Sequence, residues 1–147
     1  MTLLQTLRPA ARELDQSDIV AVINGARNKP GIVPLWVGEG DLPTPDFITS
    51  AAKTALDAGE TFYTWQRGIP ELRDALADYH TRHYGIDNDR ERFFVTGSGM
   101  QAIQLSLQAL SGVGDEVVMT TPCWPNLPAA TQVGGGVPVH VELDCSQ

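Results

Sequence analysis

The stretch VTGSGMQAIQLSLQAL, Val95 to Leu110, decides the fold. The apolar run Phe93, Phe94, Val95 leads into a glycine turn, and beyond the turn Ile103, Leu107 and Leu110 recur at helical spacing. A strand, a tight turn and a helix start, in that order, make an anion site. The first turn of a helix leaves its N–H groups unpaired and partly positive. Gly97, Gly99 and Ala102 also satisfy the G-x-G-x-x-G/A spacing of a dinucleotide-binding turn.

Downstream of this stretch, strand and helix patterns alternate. The sequence predicts strands at 93–96, 116–121 and 137–143 and helices at 101–110 and 127–132. The first two strands are continuous apolar runs, which predicts burial on both faces of a parallel sheet. The fold class is α/β. Three strands are few for a doubly wound sheet, and the chain reads as the first part of something larger. An unpaired sheet edge and an uncovered face predict poor solubility for the chain by itself.

Upstream, helical periodicity predicts a helix over 14–27, with Ile19, Val22, Ile23 and Ala26 on one face and Ser17 as N-cap. NKPGIVPLWVGEGDLPTP then breaks regular structure, apart from a short extended run from Ile32 to Val37. A helix is predicted from Phe47 to Ala58, with Asp46 near its start and Gly59 past its end. Another spans Ile69 to Tyr84, with Pro70 in the first turn, Leu72, Leu76 and Tyr79 on one face, and Gly85 as the stop. In the proline-broken loop, Glu39 and Asp41 read as turn and capping residues. His80 and His83 read as solvated surface histidines, since no third metal ligand is placed near them.

A formal charge of −8 over 147 residues argues against nucleic acid or an anionic membrane as partner. No apolar run reaches the length of a membrane span, and the N-terminal residues lack a signal layout. Cys123 and Cys145 are too few for a disulfide scaffold and read as reduced thiols of a cytoplasmic protein.

The dinucleotide reading needs an acidic residue at the end of the next strand to bond the ribose hydroxyls. That strand ends in Met119, Thr120, Thr121, Pro122, whereas Asp115 and Glu116 stand at its opposite end. Trp124 occupies the carboxyl end instead, where α/β sheets hold their ligands. Alone, Trp124 reads as core or rim packing. Paired with a phosphate-type turn, it suits a small, planar, phosphorylated ring such as pyridoxal 5′-phosphate. A nicotinamide dinucleotide (NAD(P)) enzyme of the Rossmann type remains the alternative for the turn.

Five separated motifs carry a family resemblance: VGEGDLPTPDFI (37–48), FYTWQRGIPELRDALADYH (62–80), FVTGSGMQAIQLSLQAL (94–110), GDEVVMTTPCWPN (114–126) and GGGVPVHVEL (134–143). In this order and spacing the chain resembles the N-terminal part of the fold type I pyridoxal-phosphate enzymes, specifically the aspartate-aminotransferase-like class I/II aminotransferases. The resemblance implies a three-layer α/β/α sandwich for the large cofactor-binding domain, of which 46–147 would be the first part. Residues 1–45 would be a segment of the small domain.

It also implies roles. Ser98, Gly99 and Met100 match the positions whose amides hold the cofactor phosphate, a contact worth about 1–2 kcal/mol from the helix end. Gly99 would let the backbone approach the phosphate closely, although alone it reads equally as a turn glycine. Trp124 matches the aromatic that stacks on the pyridine ring. Gly38 matches a glycine beside the substrate carboxylate; Tyr63 matches a tyrosine that bonds the cofactor phosphate of the neighbouring subunit in a homodimer. Without the resemblance they read as a loop glycine and a half-buried loop aromatic. Trp65 and Arg67 depart from the family pattern, which has small, proline or polar residues there.

The implied substrates are an amino acid and a 2-oxo acid. Transamination needs a Schiff-base lysine that also moves the substrate proton, an acid on the pyridine nitrogen, and an arginine for the substrate carboxylate. The family has all three further downstream. This chain's only lysines, Lys29 and Lys53, precede the phosphate turn. The 147 residues therefore contain no catalytic base of this family. Either they are part of a longer aminotransferase, or they are a non-catalytic remnant or a subunit that associates with a separate C-terminal piece.

Overall fold

The structure, a computed structural model, describes residues 3–15, 17–144 and 146. Cys145 lies outside them. Two compact units emerge, one formed by 1–36 with 97–147 and the other by 37–96.

In the first unit, a 3-10 turn at Leu3–Thr6 and a short helix α1 (Pro9–Arg12) precede α2 (Asp18–Ala26). The predicted 14–27 helix therefore starts four residues late, with Ser17 at the N-cap position but making no side-chain capping bond. Then come α5 (Gly99–Leu110), β1 (Glu116–Thr121), α6 (Asn126–Gly134) and β2 (Val137–Glu142). The strands are parallel, with Glu116 opposite Val137 and Thr121 opposite Glu142. This β–α–β order is the α/β class the sequence predicted. α6 packs on both α5 and β2, and Ala130 and Thr131 on it are buried. Thr131 Oγ1 donates to the Leu127 carbonyl at 3.1 Å, which satisfies the buried hydroxyl. The Arg8 guanidinium donates to the Val133 carbonyl in the last turn of α6, a favourable place for a cation.

Two expectations fail here. Residues 93–96 are not a strand, and the sheet has two strands among the described residues. A strand exists only by pairing, and the Val95 N–H donates to the Arg67 carbonyl at 2.9 Å rather than to a ladder. β1 is not buried on both faces: Val117, Met119 and Thr121 are half-buried, while Glu116, Val118 and Thr120 are exposed.

The second unit holds α3 (Asp46–Asp57), α4 (Pro70–Tyr84) and a 3-10 turn at Arg90–Arg92. Both helices fall within a residue or two of their predicted spans. Gly85 ends α4 in the left-handed region at φ 65°, and its N–H reaches the Thr81 carbonyl at 3.0 Å. The buried face of α4 is not the predicted one. Leu72 and Tyr79 are exposed and Leu76 is half-buried, whereas Arg73 and Ala77 are buried. The cause is polar: Arg73 Nε donates to the Phe93 carbonyl at 3.0 Å and an Nη to the Arg90 carbonyl at 2.9 Å, and Glu91 pairs with it at 3.1 Å. A guanidinium so satisfied tolerates burial, and it ties α4 to the 90–93 segment.

Five described residues are buried: Arg73, Ala77, Ala130, Thr131 and Gly136. Large apolar side chains such as Leu35, Phe62, Leu110 and Val113 stay more than 80% exposed, so the apolar content predicted by composition is not matched by a core within this chain.

Candidate functional site

The turn at 96–99 is shaped by two reciprocal bonds. Ser98 stands at the N-cap of α5 in extended conformation, and its Oγ accepts the Gln101 N–H at 3.1 Å. Gln101 Oε1 reaches back and accepts the Gly97 N–H at 2.8 Å. This is a capping box displaced by one residue, written in the sequence as Ser98-x-x-Gln101. The sequence reading overlooked Gln101, although Ser followed three residues later by Gln carries that signal.

Two donors remain. Among the described residues, the N–H groups of Gly99 and Met100 have no acceptor. A Cβ built on Gly99 would meet no atom within 4 Å, and its φ is not in the left-handed region, so nothing in the protein demands glycine there. Two amide donors without acceptors at a helix start suit an anion. The Gly99 and Met100 amides therefore leave donors that an anion such as a phosphate group can take.

Trp124 follows β1 by three residues, after a cis Thr121–Pro122 peptide, and its carbonyl accepts the Leu127 N–H at 3.1 Å as α6 begins. It is 49% exposed, too open for a core residue and able to present a ring face. Cys123 beside it is half-buried and unpaired among the described residues. Trp124 and the Ser98–Met100 turn lie in the same compact unit.

Gly38 and Tyr63 belong to the other unit. A Cβ on Gly38 also meets nothing within 4 Å. Tyr63 is fully exposed, not half-buried, and lines a cleft of about 460 Å³ with Trp65, Arg67 and Arg73. The two departures from the family pattern are held differently. Trp65 is 70% exposed, and its carbonyl closes a turn by accepting the Gly68 N–H at 2.9 Å. Arg67 pairs with Glu91 at 2.5 Å and lies 5.0 Å from the Phe94 ring centroid.

The remaining candidates are structural. His80 is half-buried, not solvated, with its ring 5.1 Å from Phe93 and 5.3 Å from Tyr84, and His83 lies 4.3 Å from the Tyr79 ring. Glu39 and Asp41 are exposed, and neither side chain makes a capping bond among the described residues.

A parallel β–α–β unit with helices beside it defines an α/β protein. Residues 30–147 match the family described as aminotransferase class I and II. The chain is 35% identical over 130 residues to the aspartate aminotransferase of Pyrococcus horikoshii, covering 88% of this chain and 33% of that protein. It is 41% identical over 111 residues to the aspartate/prephenate aminotransferase of Thermus thermophilus, covering 76% and 29%. Among solved structures, the aspartate aminotransferase from Rhizobium meliloti superposes with a TM-score of 0.85 at 28% identity, over 96% of this chain and 36% of that one. The Thermus thermophilus aspartate aminotransferase with maleate gives 0.84 at 38% identity, over 92% and 37%.

The chain belongs to the class I and II aminotransferase family, and it corresponds to the N-terminal portion of its fold type I members. It spans about a third of the length of these relatives.

Proposed function

We propose that this chain is the phosphate-binding and ring-stacking portion of a pyridoxal-phosphate-dependent aminotransferase, which moves an amino group between an amino acid and a 2-oxo acid. One observation carries the reading: the amides of Gly99 and Met100 at the start of α5 are unpaired among the described residues, in a chain of this family. Members of the family use pyridoxal phosphate generally.

The connectivity supports the pairing of the turn with Trp124. Five residues separate α5 from β1, and four separate β1 from α6. A twelve-residue helix is about 18 Å long and a six-residue strand about 20 Å. A helix lying back along the strand that follows it thus brings its own N-terminus to the carboxyl end of that strand, where Trp124 stands.

In this reading the amides of Ser98, Gly99 and Met100 bind the phosphate. The Trp124 indole covers one face of the pyridine ring, limiting its tilt and excluding water. Tyr63 donates its hydroxyl to the phosphate held by a neighbouring subunit, which makes the parent a homodimer. Gly38 leaves room for the substrate carboxylate. When bound, pyridoxal phosphate supplies the electron sink for the carbanion formed at the substrate α-carbon. The proton at that carbon has no acceptor here, because Lys29 and Lys53 both precede the phosphate turn. The chain by itself is inactive, and the Schiff-base lysine comes from the remainder of the enzyme. Residues 46–147 then belong to the large domain and 1–45 to the small one. We assign the enzyme to the cytoplasm, where both cysteines stay reduced.

Fluorescence titration of the chain tests this. Pyridoxal phosphate is expected to quench the Trp124 emission, assigned by its loss in Trp124→Phe, and inorganic phosphate to compete. Borohydride reduction is expected to leave Lys29 and Lys53 unlabelled. Saturable binding of NADH with no effect of pyridoxal phosphate would overturn the reading in favour of a dinucleotide site.

A further inference from the structure

Arg73 is buried, with 9% of its side chain open, yet its partners do not take up the whole guanidinium. Nε donates to the Phe93 carbonyl, and Nη2 serves the Arg90 carbonyl and Glu91 Oε1. Nη1 has no partner among the described residues. No buried side-chain nitrogen or oxygen among them lacks a partner, so Nη1 meets solvent. The open space that Arg73 borders is the cleft of about 460 Å³ beside residues 63–67.

Arg67 lines the same cleft and is held from two sides, by Glu91 Oε2 at 2.5 Å from its Nη1 and by the Phe94 ring at 5.0 Å. Its Nε and Nη2 have no partner among the described residues. Arg67 and Arg73 thus bind the two oxygens of one carboxylate, and each keeps N–H groups in reserve. Arg90 stands 3.7 Å from the same carboxylate and pairs with Asp74 at 3.2 Å. Three guanidiniums against two carboxylates leave the cluster one positive charge, and the flanking Asp89 and Arg92 carry opposite signs. In a chain of charge −8 this is a local reversal. The remaining wall is aromatic: Tyr63 is fully exposed and the Trp65 indole is largely open.

We propose that this cleft binds a small aromatic monocarboxylate, its carboxylate on Arg67 and Arg73 Nη1 and its ring on the Trp65 indole. The volume suits a small molecule. A guanidinium fork matches the planar carboxylate, and both guanidiniums are already fixed by their other partners, so little freedom is lost on binding. A single surplus positive charge favours a monoanion over a phosphate dianion. Stacking on Trp65 removes exposed apolar surface from water. The site stands apart from the cofactor reading, which uses none of Arg67, Arg73 and Trp65. Trp65 and Arg67 are also the two departures from the family pattern, so the cleft is a feature of this chain.

Titration of the whole chain with phenylacetate, followed by heteronuclear NMR, tests it. The indole N–H resonance lost in Trp65→Leu is expected to shift saturably in the wild type. Phenylacetamide, which lacks the charge, and acetate, which lacks the ring, are each expected to bind on the order of tenfold more weakly. Arg67→Gln is expected to weaken phenylacetate about tenfold, and Arg67→Lys by less, since it keeps the charge and loses the fork. Both positions are exposed, so these variants keep the fold; the comparison of the three probes on the wild type needs no variant at all. Trp124→Phe is expected to leave the affinity as it is. Equal affinity for phenylacetamide, tighter binding of phenyl phosphate, unchanged affinity in Arg67→Gln, loss of binding in Trp124→Phe, or no saturable shift would each overturn the proposal. A chain that binds phenylacetate in this way but not pyridoxal phosphate leaves the cleft standing and removes the cofactor site; the reverse result does the opposite.

Discussion

Gly68 and Val95 are in contact so close that a Cβ on residue 68 would lie 2.4 Å from Val95 Cγ2, and Gly68 holds φ at 101°. Its N–H closes the turn from Trp65, and the neighbouring Arg67 carbonyl accepts the Val95 N–H at 2.9 Å. The turn that follows Tyr63 is thereby fixed to the 93–96 segment. Gly68→Ala meets both a steric and a conformational barrier, and is expected to cost about 2–4 kcal/mol. Urea denaturation checks the cost, and faster exchange of the Val95 amide checks its location.

Ser98 and Gln101 cap α5 reciprocally. Ser98→Ala is expected to cost about 1 kcal/mol, and Gln101→Ala somewhat less. The double variant is expected to cost less than the sum, since either change alone loosens the shared turn. A double-mutant cycle in denaturant measures this, and strict additivity would refute the reciprocal cap.

Arg73 is buried, with two backbone carbonyls and Glu91 as partners. Arg73→Met keeps the side-chain volume but orphans the carbonyls of Arg90 and Phe93, and is expected to cost about 2–4 kcal/mol. Arg82→Met, on the exposed side of the same helix, is expected to cost less than about 0.5 kcal/mol. Thermal melts of the two variants under the same buffer compare them directly.

Trp124 separates binding from stability. Because half of the ring is open, Trp124→Ala is expected to cost less than about 1.5 kcal/mol of stability. In the proposed site it also weakens pyridoxal phosphate binding about tenfold, through lost stacking. Equal affinity of wild type and variant by equilibrium dialysis would remove Trp124 from the site.

The sequence by itself determined the helices, because their signals are local. The Pro70 start and Gly85 stop of α4, the apolar spacing in α5 and the turn ahead of it each depend on residues within one or two helical turns. It also determined the family, through motifs whose order needs no coordinates. Only the tertiary structure decided what depends on distant partners. Phe93–Val95 has the composition of a strand, but its amide went to Arg67, and without a neighbouring ladder no strand forms. The buried face of α4 belongs to Arg73 and not to Leu72, because carbonyls seventeen and twenty residues away satisfy the guanidinium. That β1 is half-buried on one face and exposed on the other was hidden for the same reason: a strand's pattern records its residue types, and the layers that cover them are set elsewhere in the fold.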